Sequence, residues 1–314
     1  MSVIKKIEKE VGKVIIGQKH MVSLVSVSLL ANGHILLMGL PGLAKTLLIK
    51  AVARVFSVSF NRIQFTPDLM PADLIGYDIL EEKKSGKEMK FIKGPVFCNL
   101  LLADEINRTP PKTQAALLQS MQEREVSVLG RHYQLKPPFM VMATQNPLEQ
   151  EGTYPLPEAQ LDRFLFLLKV DYPTYDEEVK ISSTDSEAKL SNIKALFKAG
   201  DIMRMQKAAA RVKVAARVNR WVVKLVNASR PGSEYALKDV KKYVEYGASP
   251  RGSKFLLNAA KAAAYLKGKN QVERDDIEDV IHPVLRHRIF LNFSGQAEAV
   301  EADQIIDKLL KIKI

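Results

Sequence analysis

A glycine-containing loop at residues 39–46 ends in a lysine and a threonine, a combination that can bind the phosphates of a nucleotide. Small residues let the backbone wrap closely around phosphate, successive N–H groups point inward, and the following helix start adds partial positive charge. We expect Lys45 to reach the β- and γ-phosphates and the Thr46 hydroxyl to be a ligand of Mg²⁺. The alternative is a strand-to-helix turn whose lysine is solvated.

The residue before this lysine departs from the usual pattern G-x-x-x-x-G-K-[ST], because Ala44 stands where a glycine is expected. Alanine is tolerated where the backbone is right-handed helical and is disfavoured where φ is positive. If the loop binds phosphate, the sequence therefore predicts a right-handed conformation at Ala44.

Two adjacent carboxylates, Asp104 and Glu105, directly follow an apolar run at residues 99–103 that is typical of a buried strand. In an open parallel sheet, ligands bind at the carboxyl ends of the strands. An aspartate there can hold Mg²⁺ through water, and the adjacent glutamate can polarise a water for attack. Alone, such a pair is commonly a solvated turn; after a phosphate-binding loop, it indicates phosphoryl chemistry.

Three further polar residues lie where they can take part in this chemistry. Asn146 follows another apolar run and would reach the same sheet edge as Glu105, where its amide can orient water or contact the γ-phosphate; a local turn cap is the alternative. Arg163, at a helix end, fits either a surface salt bridge or a projection into a neighbouring subunit. Arg251, near a helix start, is disfavoured there unless an anion lies nearby.

The elements that must position these residues are predicted from periodicity. Thr109, followed by two prolines, predicts a helix that Thr109 caps. The apolar turn at residues 14–18 would either cover an adenine ring or simply anchor the first helix. Strands are expected at residues 35–38, 61–65, 99–103, 139–143 and 164–170, hairpins around 81–90 and at 126–135, and helical segments at 4–11, 20–30, 45–56 and 208–227.

The composition fits a cytoplasmic globular protein with one large and one smaller domain: 314 residues, 46% hydrophobic and 26% charged. No apolar run approaches the ~20 residues of a membrane span, and residues 1–13 lack a secretory apolar core. Cys98 is the single cysteine, so an internal disulfide is excluded, which fits a reducing cytosol. The five histidines lack metal-binding spacing, and no zinc site is expected.

The net charge of +12 raises the question of an anionic partner such as nucleic acid. Much of this charge lies at residues 189–224, interleaved with apolar residues at helical spacing, which favours a solvated helix face. The chain also lacks a recognisable nucleic-acid-binding motif. We therefore do not expect a nucleic-acid partner.

Taken together, these motifs resemble those of the MoxR-type AAA+ ATPases, which are ring-forming, chaperone-like ATPases. The stretches that carry the resemblance span most of the chain, and alanine before the loop lysine is usual in this family. They are residues 39–46, 62–76, 94–97, 102–109, 143–147, 156–164, 247–251 and 285–288.

The resemblance implies a role for each matching residue. Glu105 would activate water, Asn146 would be sensor 1, and Arg163 would be the arginine finger supplied to the next subunit, with Arg108 and Arg124 as alternatives. Arg251 would be sensor 2 and contact the nucleotide. The ATP-binding residues would be Gly39, Pro41, Gly42, Leu43, Ala44, Lys45, Thr46 and Leu47 in the Walker A loop and Val14, Ile15, Ile16 and Gly17 against adenine; Thr46 and Asp104 would bind Mg²⁺.

The same resemblance implies a fold and an assembly. An α/β AAA+ core with a central parallel five-stranded sheet would occupy residues 1–172, a helical connecting segment 173–232, and an all-α lid 233–314. The two hairpins would be the helix-2 insert and the pre-sensor-1 hairpin. A hexameric ring of the same chain would use Mg-ATP to act on a separate client or adaptor, often a protein with a von Willebrand factor A domain, because the chain ends at Ile314 soon after the lid helices. A link to metal-cofactor insertion stays open.

Two other functions are compatible with the sequence. A nucleic-acid-stimulated AAA+ motor would use the positive charge and the two hairpins. A nucleotide-sensing scaffold would bind ATP with little turnover, and the intact pair of Asp104 and Glu105 argues against it.

Overall fold

A parallel sheet of five strands organises the structure, a computed structural model that describes residues 2–39, 42–83, 86–146, 152–185 and 188–313. The order of these strands is β2-β5-β8-β1-β9, and every neighbouring pair is parallel. In chain order, the strands are β1 (Ile35–Met38), β2 (Phe60–Gln64), β3 (Gly76–Lys83), β4 (Gly86–Lys93), β5 (Leu100–Asp104), β6 (Glu125–Val128), β7 (Arg131–Gln134), β8 (Met140–Gln145), β9 (Phe166–Lys169), β10 (Val244–Tyr246) and β11 (Phe290–Leu291).

Helices cover both faces of this sheet and form the C-terminal part of the chain. Within the described residues, none is long and apolar enough to cross a lipid bilayer. In chain order, the helices are α1 (Val3–Val11), α2 (Lys19–Leu30), α3 (Lys45–Val55), α4 (Pro71–Ile75), α5 (Pro111–Glu123), α6 (Glu158–Leu161), α7 (Tyr175–Ser182), α8 (Ala199–Ala210), α9 (Ala216–Ala228), α10 (Lys238–Tyr243), α11 (Pro250–Lys267), α12 (Arg274–Leu285), α13 (Phe293–Ala297) and α14 (Ala302–Leu309).

The central strands are apolar throughout because both faces of the sheet are covered. Along β1, Ile35 and Leu37 belong to one hydrophobic cluster and Leu36 to the other. The same alternation occurs in β5 and β8, since successive side chains of a strand point to opposite faces. The expected α/β fold with five parallel strands is therefore confirmed.

The two predicted hairpins are present and pack against each other. Strands β3 and β4 pair antiparallel, as do β6 and β7. The rings of Phe91 on β4 and Tyr133 on β7 stack with centroids 4.0 Å apart and planes 15° from parallel. Aromatic contacts of this kind fix the two hairpins relative to each other.

The C-terminal part is helical, as expected for the lid, and also contains a two-stranded antiparallel ribbon of β10 and β11. The single long helix predicted at residues 208–227 is wrong, because α8 ends at Ala210 and α9 begins at Ala216. Between them, Lys213 hydrogen-bonds in a strand-like manner: its N–H donates to Asn270 O at 3.1 Å, and its carbonyl accepts from Val272 N at 2.9 Å. These bonds satisfy backbone groups that a continuous helix would have used internally.

The helix after β5 begins later than predicted. Thr109 is not its cap: α5 starts at Pro111, and Pro110 occupies the capping position. The Thr109 hydroxyl instead donates to Leu69 O at 3.4 Å, so this side chain joins the segment before α5 to the segment before α4. The missing N–H groups of the two prolines leave fewer donors for a cap to satisfy.

Candidate active site

A cleft of about 380 Å³ lies at the carboxyl edge of the sheet, where the loop after β1 meets the ends of β5 and β8. Half of the predicted ATP- and Mg²⁺-binding residues line it with Glu105 and Asn146, together with three residues that were not singled out from the sequence: Arg62, Gln64 and Thr144. Gly39 lies at the loop start, and Pro41 falls outside the described residues. The predicted lining residues are Gly42, Leu43, Ala44, Lys45, Thr46, Leu47, Asp104, Glu105 and Asn146.

The loop adopts positive φ at two of its described residues. Gly42 has φ 82°, and Ala44 has φ 54° and ψ 21°. The predicted right-handed conformation of Ala44 is therefore wrong. The reason is that α3 begins directly after Ala44, whose carbonyl accepts a hydrogen bond from Leu48 N at 2.9 Å, so the chain must reverse within the loop. Alternation of left- and right-handed residues turns successive N–H groups into one concavity, the geometry that binds anions.

Lys45 reaches back across this loop. Its Nζ donates to Gly39 O at 2.5 Å, and the side chain is half-buried. Burial lowers the pKa of the Lys45 ammonium, while the nearby Asp104 and Glu105 carboxylates oppose that shift. The cation and the two acids thus share one electrostatic environment.

Thr144, at the end of β8, links the two acidic residues. Its hydroxyl donates to Asp104 Oδ1 at 2.6 Å and accepts from the backbone N–H of Glu105 at 2.8 Å. Glu105 itself has φ 57°, a left-handed conformation that turns its side chain away from the strand direction. The backbone strain at Glu105 is held by this hydrogen bond and is of the kind found at functional sites.

The edge strand β2 supplies two partners to the acids. Arg62 binds Asp104 Oδ2 through Nη2 at 2.7 Å and Nε at 3.1 Å. Gln64 Nε2 donates to Glu105 Oε2 at 2.6 Å, and the same oxygen accepts from Arg108 Nη1 at 2.9 Å. The sequence signal for Arg62 and Gln64 was their alternation at the end of a predicted strand, which places both side chains on the same face of the sheet.

The turn predicted to contact adenine is divided between interior and surface. Val14 and Ile15 are buried in the hydrophobic core, which fits the anchoring alternative, whereas Ile16 is half-buried and Gly17 is exposed. Gly17 has φ 82°, and the carboxylate of Glu177 occupies the place of a side chain there, 2.2 Å from an ideal Cβ. A base could therefore be contacted by Ile16 and Gly17 but not by the side chains before them.

A second pocket of about 440 Å³ contains the other predicted cations. Arg163 and Arg251 line it with Arg124 and Lys254. His34, the residue before β1, also lines this pocket, so it lies at the amino edge of the sheet. At about 3.3 Å per residue, the five-residue step from His34 to Gly39 spans roughly 16 Å. The structure therefore does not bring Arg163 or Arg251 to the loop cleft of the same chain.

The other two arginines considered for the finger are held by partners within the chain. Arg108 lies at the carboxyl edge, bound to Glu105. Arg124 donates to the side-chain and backbone oxygens of Asn32 at 2.5 and 2.9 Å. By contrast, no hydrogen bond or ion pair joins the half-buried Arg163 side chain to the described parts of the chain.

The sequence matches two known families along most of its length. Residues 34–166 match the ATPase family associated with various cellular activities, and residues 237–309 match the AAA lid domain. Chaperone MoxR1 of Mycobacterium tuberculosis is 44% identical over 306 residues, covering 96% of this chain and 79% of that protein. The chain belongs to the MoxR-type AAA+ ATPases. Hydrolysis of ATP is the activity that this membership establishes.

Two further comparisons agree with this family. Protein MoxR of Methylorubrum extorquens is 33% identical over 304 residues, covering 91% of this chain and 87% of that protein. The crystal structure of a candidate ATPase from Cytophaga hutchinsonii superimposes with a TM-score of 0.92 at 41% identity, covering 99% of this MoxR-type chain and 94% of that one. The predicted family and enzyme class are therefore confirmed.

Proposed function

We propose that the chain hydrolyses Mg-ATP at a site shared by two copies: one provides the loop cleft, and the next provides Arg163 and Arg251. The observation that carries this proposal is the position of these arginines at the amino edge of the sheet, while Lys45 and Glu105 lie at its carboxyl edge. An arginine side chain cannot cross the roughly 16 Å between the edges. Copies arranged head to tail would bring the two edges together.

The residues of the cleft fit a nucleotide with its metal ion. The space beside Gly42 is open, since an ideal Cβ there meets no atom within 4 Å, so the loop backbone is accessible to phosphate. Thr46 and Asp104 would hold Mg²⁺, because hydroxyl and carboxylate oxygens are its preferred ligands. When bound, this ion would neutralise charge on the β- and γ-phosphate oxygens. Arg62 would then release Asp104 and pair with another anion.

Each of the other residues of the cleft would have its own role in catalysis or binding. Lys45 would balance the phosphate charge, and Glu105 would orient a water and accept its proton. Glu105 acts in this way only if Gln64 and Arg108 share or release its Oε2, since an oxygen that accepts two hydrogen bonds is a weaker base. The Asn146 amide would hold the same water or contact the γ-phosphate, and Ile16 with Gly17 would contact the base.

The neighbouring copy would stabilise the transition state. An arginine supplied in this way contributes ~10³–10⁵ in rate in related phosphoryl transfers. Arg163 is the stronger candidate because its guanidinium has no partner among the described residues. Arg251 would contact the same nucleotide from the lid of the neighbouring copy.

The wider proposal concerns assembly and partners. We propose a closed hexameric ring, a cytoplasmic location that suits the buried thiol of Cys98, and action on a separate client or adaptor protein, such as one with a von Willebrand factor A domain. The naming of MoxR1 as a chaperone supports a remodelling role. We also retain the division at 1–172, 173–232 and 233–314, supported by the two family matches. Nothing in these comparisons favours a nucleic-acid-stimulated motor.

A mixing experiment tests the shared site. Lys45→Ala removes a residue of the cleft but leaves the arginines, whereas Arg163→Ala leaves the cleft. Each variant alone should release phosphate very slowly. A one-to-one mixture should recover roughly a quarter of the wild-type rate, because random mixing pairs an intact cleft with an intact arginine in that fraction of head-to-tail interfaces.

The double variant Lys45→Ala/Arg163→Ala, mixed one-to-one with wild-type chain, is the matched control: a shared site should again leave roughly a quarter of the wild-type rate, whereas a site within one chain should leave roughly half. If the mixture of single variants stays as inactive as its components while each variant still assembles, the arginine does not act between copies and the proposal is wrong.

A further inference from the structure

The residue directly before Arg163 joins the core to the lid. The Oδ1 atom of Asp162 accepts from Arg288 Nε at 2.7 Å. Its Oδ2 atom accepts from Ser249 Oγ at 3.2 Å and lies 3.4 Å from Arg251 Nη1. One carboxylate therefore contacts three lid side chains, at the start of α11 and just after α12.

Arg288 reinforces this connection around Arg163. Its side chain is only 1% exposed and lies over the Phe255 ring, 4.9 Å from the centroid. The guanidinium donates to the carbonyls of Asp162 at 3.1 Å and Phe164 at 2.6 Å, the residues on either side of Arg163. Burial lowers the pKa of Arg288 to about 10, and the Asp162 carboxylate opposes that shift. A buried guanidinium of this kind depends on its counter-ion.

We propose that Asp162 is a positioning residue that presents Arg163 and Arg251 together, as one rigid pair, to the nucleotide of the neighbouring copy. This inference rests on the shared site proposed above. The carboxylate holds Arg251 directly, and it holds the backbone around Arg163 through Arg288. A lid displacement would therefore move both cations at once, so Asp162 links the lid position to transition-state stabilisation in the next copy.

The first test separates turnover from binding. Asp162→Asn keeps the size of the side chain and removes its charge, so the pair should loosen without changing the variant's own cleft. We expect the turnover number to fall about tenfold, since small losses of orientation cost about that much, with KM for ATP within about twofold of wild type. Binding of a fluorescent ATP analogue reports that the variant is folded.

Asp303 offers a matched control. Its carboxylate also joins lid to core, through Lys169 Nζ at 3.1 Å, and its side chain is 23% exposed against 22% for Asp162. Its other partners are His282 and Arg286, and no hydrogen bond or ion pair between described residues joins these three partners to Asp162 or to the backbone beside Arg163. Asp303→Asn should therefore keep near-wild-type turnover. If it loses as much turnover as Asp162→Asn, general weakening of the lid explains both, and the positioning role is overturned.

The second test is complementation by Lys45→Ala, which carries an intact Asp162, Arg163 and Arg251. Its mixture with Asp162→Asn should recover activity to the same extent as the mixture with Arg163→Ala. If neither mixture recovers, the shared site itself is wrong. If the Arg163→Ala mixture recovers and the Asp162→Asn mixture does not, only the role of Asp162 is wrong.

A charge-retaining variant covers the case in which Asp162→Asn fails to fold. Asp162→Glu keeps the ion pair with Arg288 but shifts the carboxylate by about one carbon–carbon bond, which is enough to misplace a catalytic group. We expect it to bind the ATP analogue normally and to turn over more slowly than wild type. Wild-type turnover in this variant would overturn the proposal.

Discussion

At the scale of single residues, the two acids of the cleft are held by different sets of partners, which fits the different roles that we propose for them. Asp104 contacts Arg62 and Thr144, and in the function that we propose Mg²⁺ would replace the arginine. Glu105 contacts Gln64 and Arg108, at the position from which a water can be activated. Substitution of Glu105 should therefore affect ATP binding and turnover differently from substitution of Lys45.

Two substitutions test this separation of binding from chemistry. Lys45→Ala should abolish binding of ATP, because the phosphate charge is left without its cation. Glu105→Gln should bind ATP normally and turn over ~10²–10⁴-fold more slowly, the usual contribution of a general base. Titration with a fluorescent ATP analogue and a phosphate-release assay measure the two effects. Equal loss of binding in both variants would contradict the assignment.

The left-handed alanine of the loop leads to a prediction about stability. Ala44 has φ 54°, a conformation that costs an alanine about 1 kcal/mol relative to glycine. Ala44→Gly should therefore raise the free energy of unfolding by up to about 1 kcal/mol. Ala53→Gly, within α3, is the matched control and should lower it by about 1 kcal/mol or more. Urea unfolding without nucleotide distinguishes the two, and opposite signs are required.

At the scale of elements, a buried histidine connects three of them. His34, before β1, is buried; its Nε2–H donates to Met121 O in α5, and its Nδ1 accepts from Val141 N in β8, both at 3.0 Å. Burial lowers the pKa of His34 to about 3, the positive Arg124 adds to that shift, and the Met121 carbonyl opposes it. The imidazole is therefore neutral wherever the protein is folded at ordinary pH.

The pH dependence of stability follows from this shift. Below about pH 6.5, His34 is protonated in the unfolded chain but not in the folded chain. Its contribution to the free energy of unfolding is therefore fully present above that pH and is lost as the pH falls toward 3. One such histidine changes the free energy of unfolding by at most about 1.4 kcal/mol per pH unit. His34→Gln keeps a donor and an acceptor and should flatten the profile between pH 6.5 and 5 in urea unfolding experiments. Parallel profiles would rule out this contribution.

The elements also explain how far the sequence could predict the site. The central strands were predictable because burial on both faces leaves a continuous apolar run, and the acids follow the ends of such runs. Arg62 and Gln64 lie on the edge strand β2, where polar side chains look solvent-facing; their contact with the acids depends on the order of strands. Long-range pairing of this kind is not encoded in local periodicity.

The same limit applied to the pocket of arginines and to the helical segment at residues 208–227. Arg163 and Arg251 were expected to act on a nucleotide, but their common pocket at the amino edge depends on how Arg288 and Asp162 join lid to core. The division of residues 208–227 into two helices likewise depends on bonds to residues 270–272. In this second case, tertiary contacts override local helical preference.

At the scale of the whole molecule, the two edges of the sheet carry opposite chemical roles. The carboxyl edge would hold a nucleotide and become more negative when ATP binds, and the amino edge presents Arg124, Arg163, Arg251 and Lys254. Such a molecule favours head-to-tail contacts, which close into a ring when the rotation permits. The attraction between the edges should depend on bound nucleotide.

Assembly should therefore respond to ATP through the cleft. With Mg-ATP, Glu105→Gln should shift toward larger species in sedimentation velocity, because it holds the triphosphate that the neighbouring arginines contact. Lys45→Ala under the same conditions should keep its nucleotide-free distribution of sedimenting species, since it cannot bind ATP.

Specific activity of the wild type should rise with protein concentration over the same range and fall with added salt, which screens the attraction between exposed charges. A flat activity profile across the assembly range, or an equal shift in both variants, would mean that the arginines of one copy do not meet the nucleotide of the next.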